Sequence, residues 1–316
     1  MSNERAAVKN KVQEEETQSG AAHGRRDRSF LSQYKAVGEN YGSIEQTSYP
    51  GATDELYRHR RDQVVALSME SWPELPQYHY LPEEHATWSY LAASLKPLQD
   101  RYACSAFLRG REALSLPMGE VPQLDAISAQ LEGETGFLLA PVGGLLEAVD
   151  FLSALGDRVM RCTAYMRHHE HPDFTPEPDI IHELWGHAPM FMDAEFASFS
   201  EKIGETAKLA RTFGYQDIID RLQRLYWYTI EYGLIEESGQ LKVFGAGNNA
   251  GLQDLQRSVS DTVEKRPLSD EIYTLAIDYD RPQDLFYVAE SFAQVEEMVS
   301  EIKRTLLSRE PDRSAR

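Results

Sequence analysis

Apolar residues recur three and four positions apart along most of the chain, the repeat expected of one face of a helix. Across residues 84–102 the series is Trp88, Leu91, Ala92, Leu95 and Leu98, and Pro97 is expected to kink or end that helix. Phe196, Phe199, Ile203, Ala210 and Phe213 mark a second helix, and Ile218, Ile219, Leu222, Leu225 and Tyr226 a third. Another opens at Ser291, with Gln294 completing a capping box and Phe292, Val295, Val299, Ile302 and Leu306 as its buried stripe. Extended patterns are short, at residues 136–140 and 242–244. The pattern predicts a mostly α fold with a small β component at its margin.

The ends break this pattern. Residues 1–30 hold five acids, six bases and few apolar positions, and read as a disordered polar arm. Residues 308–316 read as a frayed tail. Neither an internal repeat nor a Gly/Ser linker divides residues 31–307, so one domain is expected there. At 41% hydrophobic and 10% aromatic, the chain can bury a sizeable core. Its 51 acids against 32 Lys and Arg give a net charge of −19, which disfavours nucleic acid and anionic membranes as partners. No apolar run approaches the roughly 18 residues of a membrane helix. Two cysteines, Cys104 and Cys162, cannot form a disulfide framework and read as buried small hydrophobes in a reduced, cytoplasmic setting.

The chemistry concentrates in Thr175-Pro-Glu-Pro-Asp-Ile-Ile-His-Glu-Leu-Trp-Gly-His-Ala-Pro-Met190. Asp179 suits a helix N-cap. His182 and His187 stand five apart and would diverge on an unbroken α-helix, so a turn or helix end at Gly186, enforced by Pro189, is expected to bring both imidazoles to one point. The zinc-protease motif H-E-x-x-H has a different spacing, which makes a zinc hydrolase a distant alternative. Glu231 lies in Leu225-Tyr-Trp-Tyr-Thr-Ile-Glu-Tyr-Gly-Leu234, a carboxylate among aromatics with no Lys or Arg in the segment. A divalent metal is its natural counter-charge. Two histidines and one carboxylate form the facial triad that holds Fe(II) with positions open for oxygen.

These phrases carry a resemblance. Tyr165-Met-Arg-His168, Thr175-Pro-Glu-Pro-Asp179, His182-Glu-Leu-Trp-Gly-His187, Tyr226-Trp-Tyr-Thr-Ile-Glu-Tyr-Gly-Leu234 and Tyr287-Val-Ala-Glu-Ser-Phe292 resemble the pterin-dependent aromatic amino acid hydroxylases. Val121-Pro-Gln-Leu124, Thr135-Gly-Phe137 and Pro141-Val-Gly-Gly-Leu-Leu146 match upstream, so the similarity spans roughly residues 83–307. The resemblance implies that family's single-domain catalytic fold and a ring hydroxylation using O2, Fe(2+) and tetrahydrobiopterin or a related tetrahydropterin. The substrate implied is an aromatic amino acid, foremost L-phenylalanine giving L-tyrosine, with tryptophan or another aromatic derivative as the alternative. It further implies His182, His187 and Glu231 as iron ligands. Gly143, Leu145, Leu146 and Phe151 would cradle the pterin, and Glu183 would act beside it. Arg167 and Thr175 would meet the amino acid carboxylate. Pro178 and Trp227 would pack on its ring, and Val288 matches the phenylalanine-type enzymes. Against animal relatives, the short arm and the lack of a C-terminal heptad helix suggest a monomer, with a dimer as the alternative.

Three features stand apart. Where the family carries two serines after Gly-Ala-Gly, this chain has Ala250 and Gly251, preceded by Asn248 and Asn249, which puts the choice of substrate in question. Arg161 stands where a histidine is common near the pterin. His168, His169 and His171 form a second histidine group, but Glu170, Pro172 and Asp173 around it indicate a solvated loop rather than a metal site. The glycine spacing of residues 245–251 is G-x-G-x-x-x-G, which departs from the dinucleotide fingerprint.

Overall fold

The computed structural model describes residues 28–34 and 53–309, apart from Leu145, Phe174, Pro176, Tyr279 and Asp280. Most of the expected polar arm, residues 1–27, lies outside the described residues. Its last three residues open a short 3-10 helix, Arg28–Tyr34. At the other end Ser308 still belongs to the last helix, and Arg309 meets Asp217 through two 2.7 Å contacts. Residues 310–316 lie outside the described set.

Helices dominate, as the periodicity predicts. α1 (Glu55–Ser71) starts on an Asp54 cap whose carboxylate accepts from the Leu56 and Tyr57 amides. α2 (Pro82–Tyr102) buries Trp88, Leu91, Ala92 and Leu95. It continues past Pro97, so of the two outcomes expected there the helix end does not occur. That ring lies on the exposed face, where water can satisfy the carbonyl it strands. α3 (Ser105–Leu114), α4 (Leu124–Thr135) and α5 (Ala148–Leu155) follow. Strands β1 (Leu138–Pro141) and β2 (Val159–Cys162) pair in parallel, with Ala140 opposite Arg161.

Beyond the central segment come α6 (Ala188–Phe191), α7 (Ala194–Phe213) and α8 (Gln216–Tyr226). β3 (Leu234–Glu237) and β4 (Gln240–Val243) form a hairpin. α9 (Ala246–Asn249), α10 (Leu252–Val259), β5 (Glu264–Pro267), β6 (Leu285–Ala289) and α11 (Phe292–Ser308) complete the chain. The larger sheet runs β4-β3-β6-β5, with β6 parallel to both neighbours. Ser291 caps α11 by accepting from the Gln294 amide, and Gln294 returns its side chain to the Glu290 amide, one residue earlier than a standard capping box.

An aromatic cluster of Phe191, Phe196, Phe199 and Phe292 ties α6, α7 and α11 together behind the central segment. Cys104 and Cys162 are buried and unbridged; burial pushes the Cys104 thiol up to about 12 and holds Cys162 well above the ordinary thiol range, so neither is a poised nucleophile. No helix among the described residues is long and apolar enough to cross a membrane.

Candidate active site

Two π-helical turns build the centre. His182–His187 is one and Trp227–Glu231 the other, the second continuing directly from α8. A π turn bonds i to i+5, as the Ala188 amide does to the Glu183 carbonyl, so residues five apart stack on one face. This is how His182 and His187 meet. The expected helix end at Gly186 is absent: the chain runs through Gly186 and Pro189 into α6, and the spacing is met by widening the helix.

Gly186 serves close packing. A Cβ there would stand 2.8 Å from the Ala246 carbonyl oxygen and 3.2 Å from the Ala250 Cβ, so α9 lies directly against the histidine turn. Gly245 has the same role for the other turn, where a Cβ would stand 2.5 Å from the Glu231 carbonyl oxygen. The glycine-rich segment is thus a backbone cradle for both ligand turns. Pro189 has no N–H to offer the carbonyl four residues back, that of Trp185. Gln99, buried in α2, donates to it at 3.2 Å and to the Asn249 carbonyl at 2.9 Å, fastening the turn to α9.

His182 Nε2 lies 3.0 Å from His187 Nε2, which lies 3.1 Å from Glu231 Oε1; Glu231 Oε2 is 3.5 Å from His182 Nε2. Three mutually cis donors held about 2.1 Å from one octahedral ion stand about 3.0 Å apart. The three side chains therefore fit a single divalent ion. The His182 and Glu231 side chains keep 16% and 14% exposure against 4% for His187, so the cluster opens to one side. Burial alone would raise Glu231, but the two imidazoles reverse it and hold the carboxyl far below the carboxylate range. Burial likewise pushes His182 down, and Glu231 more than restores it, leaving it raised.

Around this core, Glu183 is buried and raised by desolvation; its Oε1 accepts from the Thr163 amide (3.0 Å) and hydroxyl (3.2 Å). The ring of Phe151 meets Tyr226 edge-on at 5.2 Å, and Tyr226 lies 6.3 Å from His187, so Phe151 reaches the centre through Tyr226. Burial, then the charges of Glu231 and Glu183, push the Tyr226 phenol well up. Gly143 and Leu146 lie in the loop between β1 and α5; Leu145 falls outside the described residues.

Arg167 is buried and spans the Asp179 carboxylate, with Nε to Oδ2 at 2.9 Å and Nη2 to Oδ1 at 2.7 Å. Asp179 also accepts from the Arg167 and His182 amides, so one carboxylate caps the histidine turn and aims the arginine. The Thr175 hydroxyl donates to the Glu177 carbonyl (2.8 Å). Trp227 packs on Tyr232 at 4.7 Å and donates from Nε1 to Gln283. Val288 is half-buried on β6, opposite Leu234, three residues beyond Glu231. Arg161 turns its guanidinium to the 3-10 helix, over the Tyr34 ring and onto its carbonyl oxygen.

Sequence reading overlooked Thr163 and Gln99 and saw Asp179 only as a cap. Polar residues within apolar runs were the available signal. Asn249 donates to the Gly245 carbonyl, and both polar side-chain atoms of buried Asn248 lack a partner among the described residues.

A part-buried two-histidine, one-carboxylate cluster within a mostly helical fold defines the class of proteins with a candidate mononuclear metal centre. The model of the family described as biopterin-dependent aromatic amino acid hydroxylase matches residues 27–310, and the chain belongs to that family. It is 38% identical over 275 residues to phenylalanine-4-hydroxylase of Rattus norvegicus, covering 84% of this chain and 60% of that protein. It is also 38% identical over 251 residues to tyrosine 3-monooxygenase of the same species, covering 77% and 50%. The chain thus spans three fifths or less of these relatives. Among solved structures, phenylalanine hydroxylase from Chromobacterium violaceum bound to iron and phenylalanine aligns with TM-score 0.64 at 28% identity, covering 73% of this chain and 85% of that one. The apo enzyme from Colwellia psychrerythraea 34H aligns with TM-score 0.65 at 26% identity, covering 73% and 89%.

Proposed function

We propose that this chain hydroxylates the ring of an aromatic amino acid, L-phenylalanine to L-tyrosine foremost, using O2, iron and a tetrahydropterin. The observation that carries this reading is the 3.0–3.5 Å triangle of His182, His187 and Glu231 donor atoms, the spacing of three cis ligands on one ion. When bound by His182, His187 and Glu231 and the loop beside them, iron and a tetrahydropterin would supply the oxygen activation and the electrons that ring hydroxylation requires.

The chain's residues bind, orient and exclude water. Phe151 would stack on the pterin, Gly143 and Leu146 would line its edge together with Leu145 as the family resemblance implies, and Glu183, fixed on one oxygen by Thr163, would meet it with the other. Arg167, aimed by Asp179, takes the substrate carboxylate as a charge-assisted fork, with Thr175 beside it. Pro178, Trp227 and Val288 shape the ring pocket. The free cysteines suit a reduced, cytoplasmic setting.

Tetrahydropterin-dependent product formation from Phe, Tyr and Trp tests the proposal, alongside metal content. Tyrosine formed from phenylalanine, with iron lost in His187→Ala, is expected. Stoichiometric zinc without pterin-coupled oxygen uptake overturns it. A second reading, another aromatic substrate, is favoured by Ala250 standing against the histidine turn without a hydroxyl; preferential turnover of tryptophan in the same assay would select it.

A further inference from the structure

An amino acid held through its carboxylate by Arg167 also brings an ammonium, one bond away on the same carbon, and that charge needs an anionic partner. Most carboxylates around the centre are committed. Asp179 accepts three hydrogen bonds from Arg167 and one from the His182 amide. Glu177 pairs with Arg61 at 3.0 Å, Glu183 is fixed by Thr163, and Glu231 belongs to the ligand triangle.

Asp254 is the exception. It is half-buried in the first turn of α10, and its carboxylate meets no hydrogen-bond donor among the described residues. An acid three residues past the helix cap would ordinarily bond the cap amide, but the Gly251 amide donates to the Asn248 carbonyl at 3.2 Å. Arg257, one turn along the same helix, spends its guanidinium on Asp284 and the Gln283 carbonyl.

The backbone sets this carboxylate beside the amino acid pocket. It lies over Gly251, where a Cβ would stand 2.5 Å from Asp254 Oδ2. The preceding turn, α9, puts Ala250 against the histidine turn and Gly247 against Tyr232, whose ring meets Trp227 at 4.7 Å. Burial raises the Asp254 carboxyl above its ordinary value, while the charges of Arg257 and Arg167 pull the other way. The Tyr232 phenol is raised by burial, then by Glu231 and Asp254. Asp254 thus lies within electrostatic reach of both Arg167 and Tyr232.

We propose that Asp254 anchors the substrate's ammonium, so that Arg167 and Asp254 grip the two charges of one free amino acid. The assignment rests on the reading of Arg167 as the carboxylate residue. A part-desolvated carboxylate without a donor gains a charge-assisted bond when the ammonium docks. Such a site rejects aromatic acids that lack the amine, and N-acylated ones, far better than an apolar pocket does. Gly251 makes the arrangement possible. A serine there, as the family carries, would press its Cβ on Oδ2 and swing the carboxylate aside. The missing hydroxyl and the placement of Asp254 therefore belong together.

Anaerobic calorimetry of the iron- and tetrahydropterin-loaded chain tests the anchor, with L-phenylalanine and 3-phenylpropanoate, its analogue without the amine, as probes. Wild type should prefer phenylalanine at least about tenfold, and Asp254→Asn should reduce that preference to about twofold or less by weakening phenylalanine alone. In steady-state assays the KM for phenylalanine should rise about tenfold while kcat moves less. Gly251→Ala should show the same signature more mildly, which keeps the test open if Asp254→Asn fails to fold by circular dichroism. An undiminished preference in the variants, or equal weakening of both probes, overturns the anchor and leaves the hydroxylase reading untouched. Wild type that binds phenylalanine without pterin-dependent turnover, and loses the preference in Asp254→Asn, supports the anchor and removes that reading instead. Wild type that binds neither probe overturns both.

Discussion

The Arg167–Asp179 pair sets the most demanding test of how this site is held. Asp179 is fully buried, and its carboxylate accepts from Arg167 through Nε, Nη2 and the amide while capping the His182 turn. Asp179→Ala leaves a guanidinium of 5% exposure without its counter-charge. Breaking a buried pair from one side costs about 3–5 kcal/mol, and a lost cap adds about 1. With about 2–4 °C lost per kcal/mol in a larger domain, the melting midpoint should fall by roughly 10 °C or more. Urea unfolding of Asp179→Ala, Arg167→Met and the double variant measures the coupling. The double variant should be more stable than Asp179→Ala, since the stranded charge is gone. The reasoning also has a pH arm. Burial would raise Asp179, but the charge and hydrogen bonds of Arg167 outweigh it and hold the carboxyl below its ordinary value. The stabilisation is therefore complete above about pH 4, the unfolded carboxylate range, and is lost as pH falls through the lower folded value. A cost under 1 kcal/mol for Asp179→Ala, typical of an exposed pair, with no recovery in the double variant, would refute it.

Other outcomes follow from the same geometry. Gly186→Ala gains up to about 1 kcal/mol in helix propensity but forces a Cβ against the Ala246 carbonyl, an overpacking cost of about 1–3 kcal/mol. No stabilisation and weaker Fe(II) binding are expected by thermal scan and metal titration, and a rise in the midpoint would remove the close-packing account. Gln99→Leu strands the Trp185 and Asn249 carbonyls and should cost about 1–3 kcal/mol in urea unfolding, with Fe(II) affinity falling alongside. Glu231→Gln keeps shape but removes the anionic ligand; Fe(II) affinity should drop at least about tenfold by equilibrium dialysis, and wild-type affinity would exclude Glu231 as a ligand.

The helices that bury one stripe were legible because a 3.6-residue repeat is written directly in residue type; α7, α8 and α11 lie where their apolar positions place them. Pro97 misled because a local rule about a missing N–H says nothing of which face meets water. The donor residues of the metal cluster could be read from chemistry, an imidazole pair and a carboxylate with no basic partner in its segment. Their geometry could not. Gly186 and Pro189 look like helix terminators to any local rule, and only contact with α9 and Gln99, both remote in sequence, shows why the helix passes through. Arg167 and Asp179 stand twelve positions apart across a loop, a pairing that no periodicity encodes. The solvated loop expected at residues 168–171 is corrected for the same reason: His169 and Glu170 are exposed, but His168 is buried, its ring covered by Tyr57 and Asp54 from another element.

The two π turns also govern which changes in chain length the protein can survive. Removing one residue between His182 and His187 would leave the imidazoles four apart, where an ordinary α-helix already aligns them and no widening is required. The helix could relax to its commoner form, but everything downstream would rotate by one position, turning the Phe191 ring on α6 away from the Phe137 and Phe196 rings it now meets. Inserting a residue would part the ligands instead. A substitution in these segments changes one side chain and leaves the register intact, whereas single-residue insertions and deletions should be almost uniformly rejected, a boundary that a library of such variants would draw residue by residue.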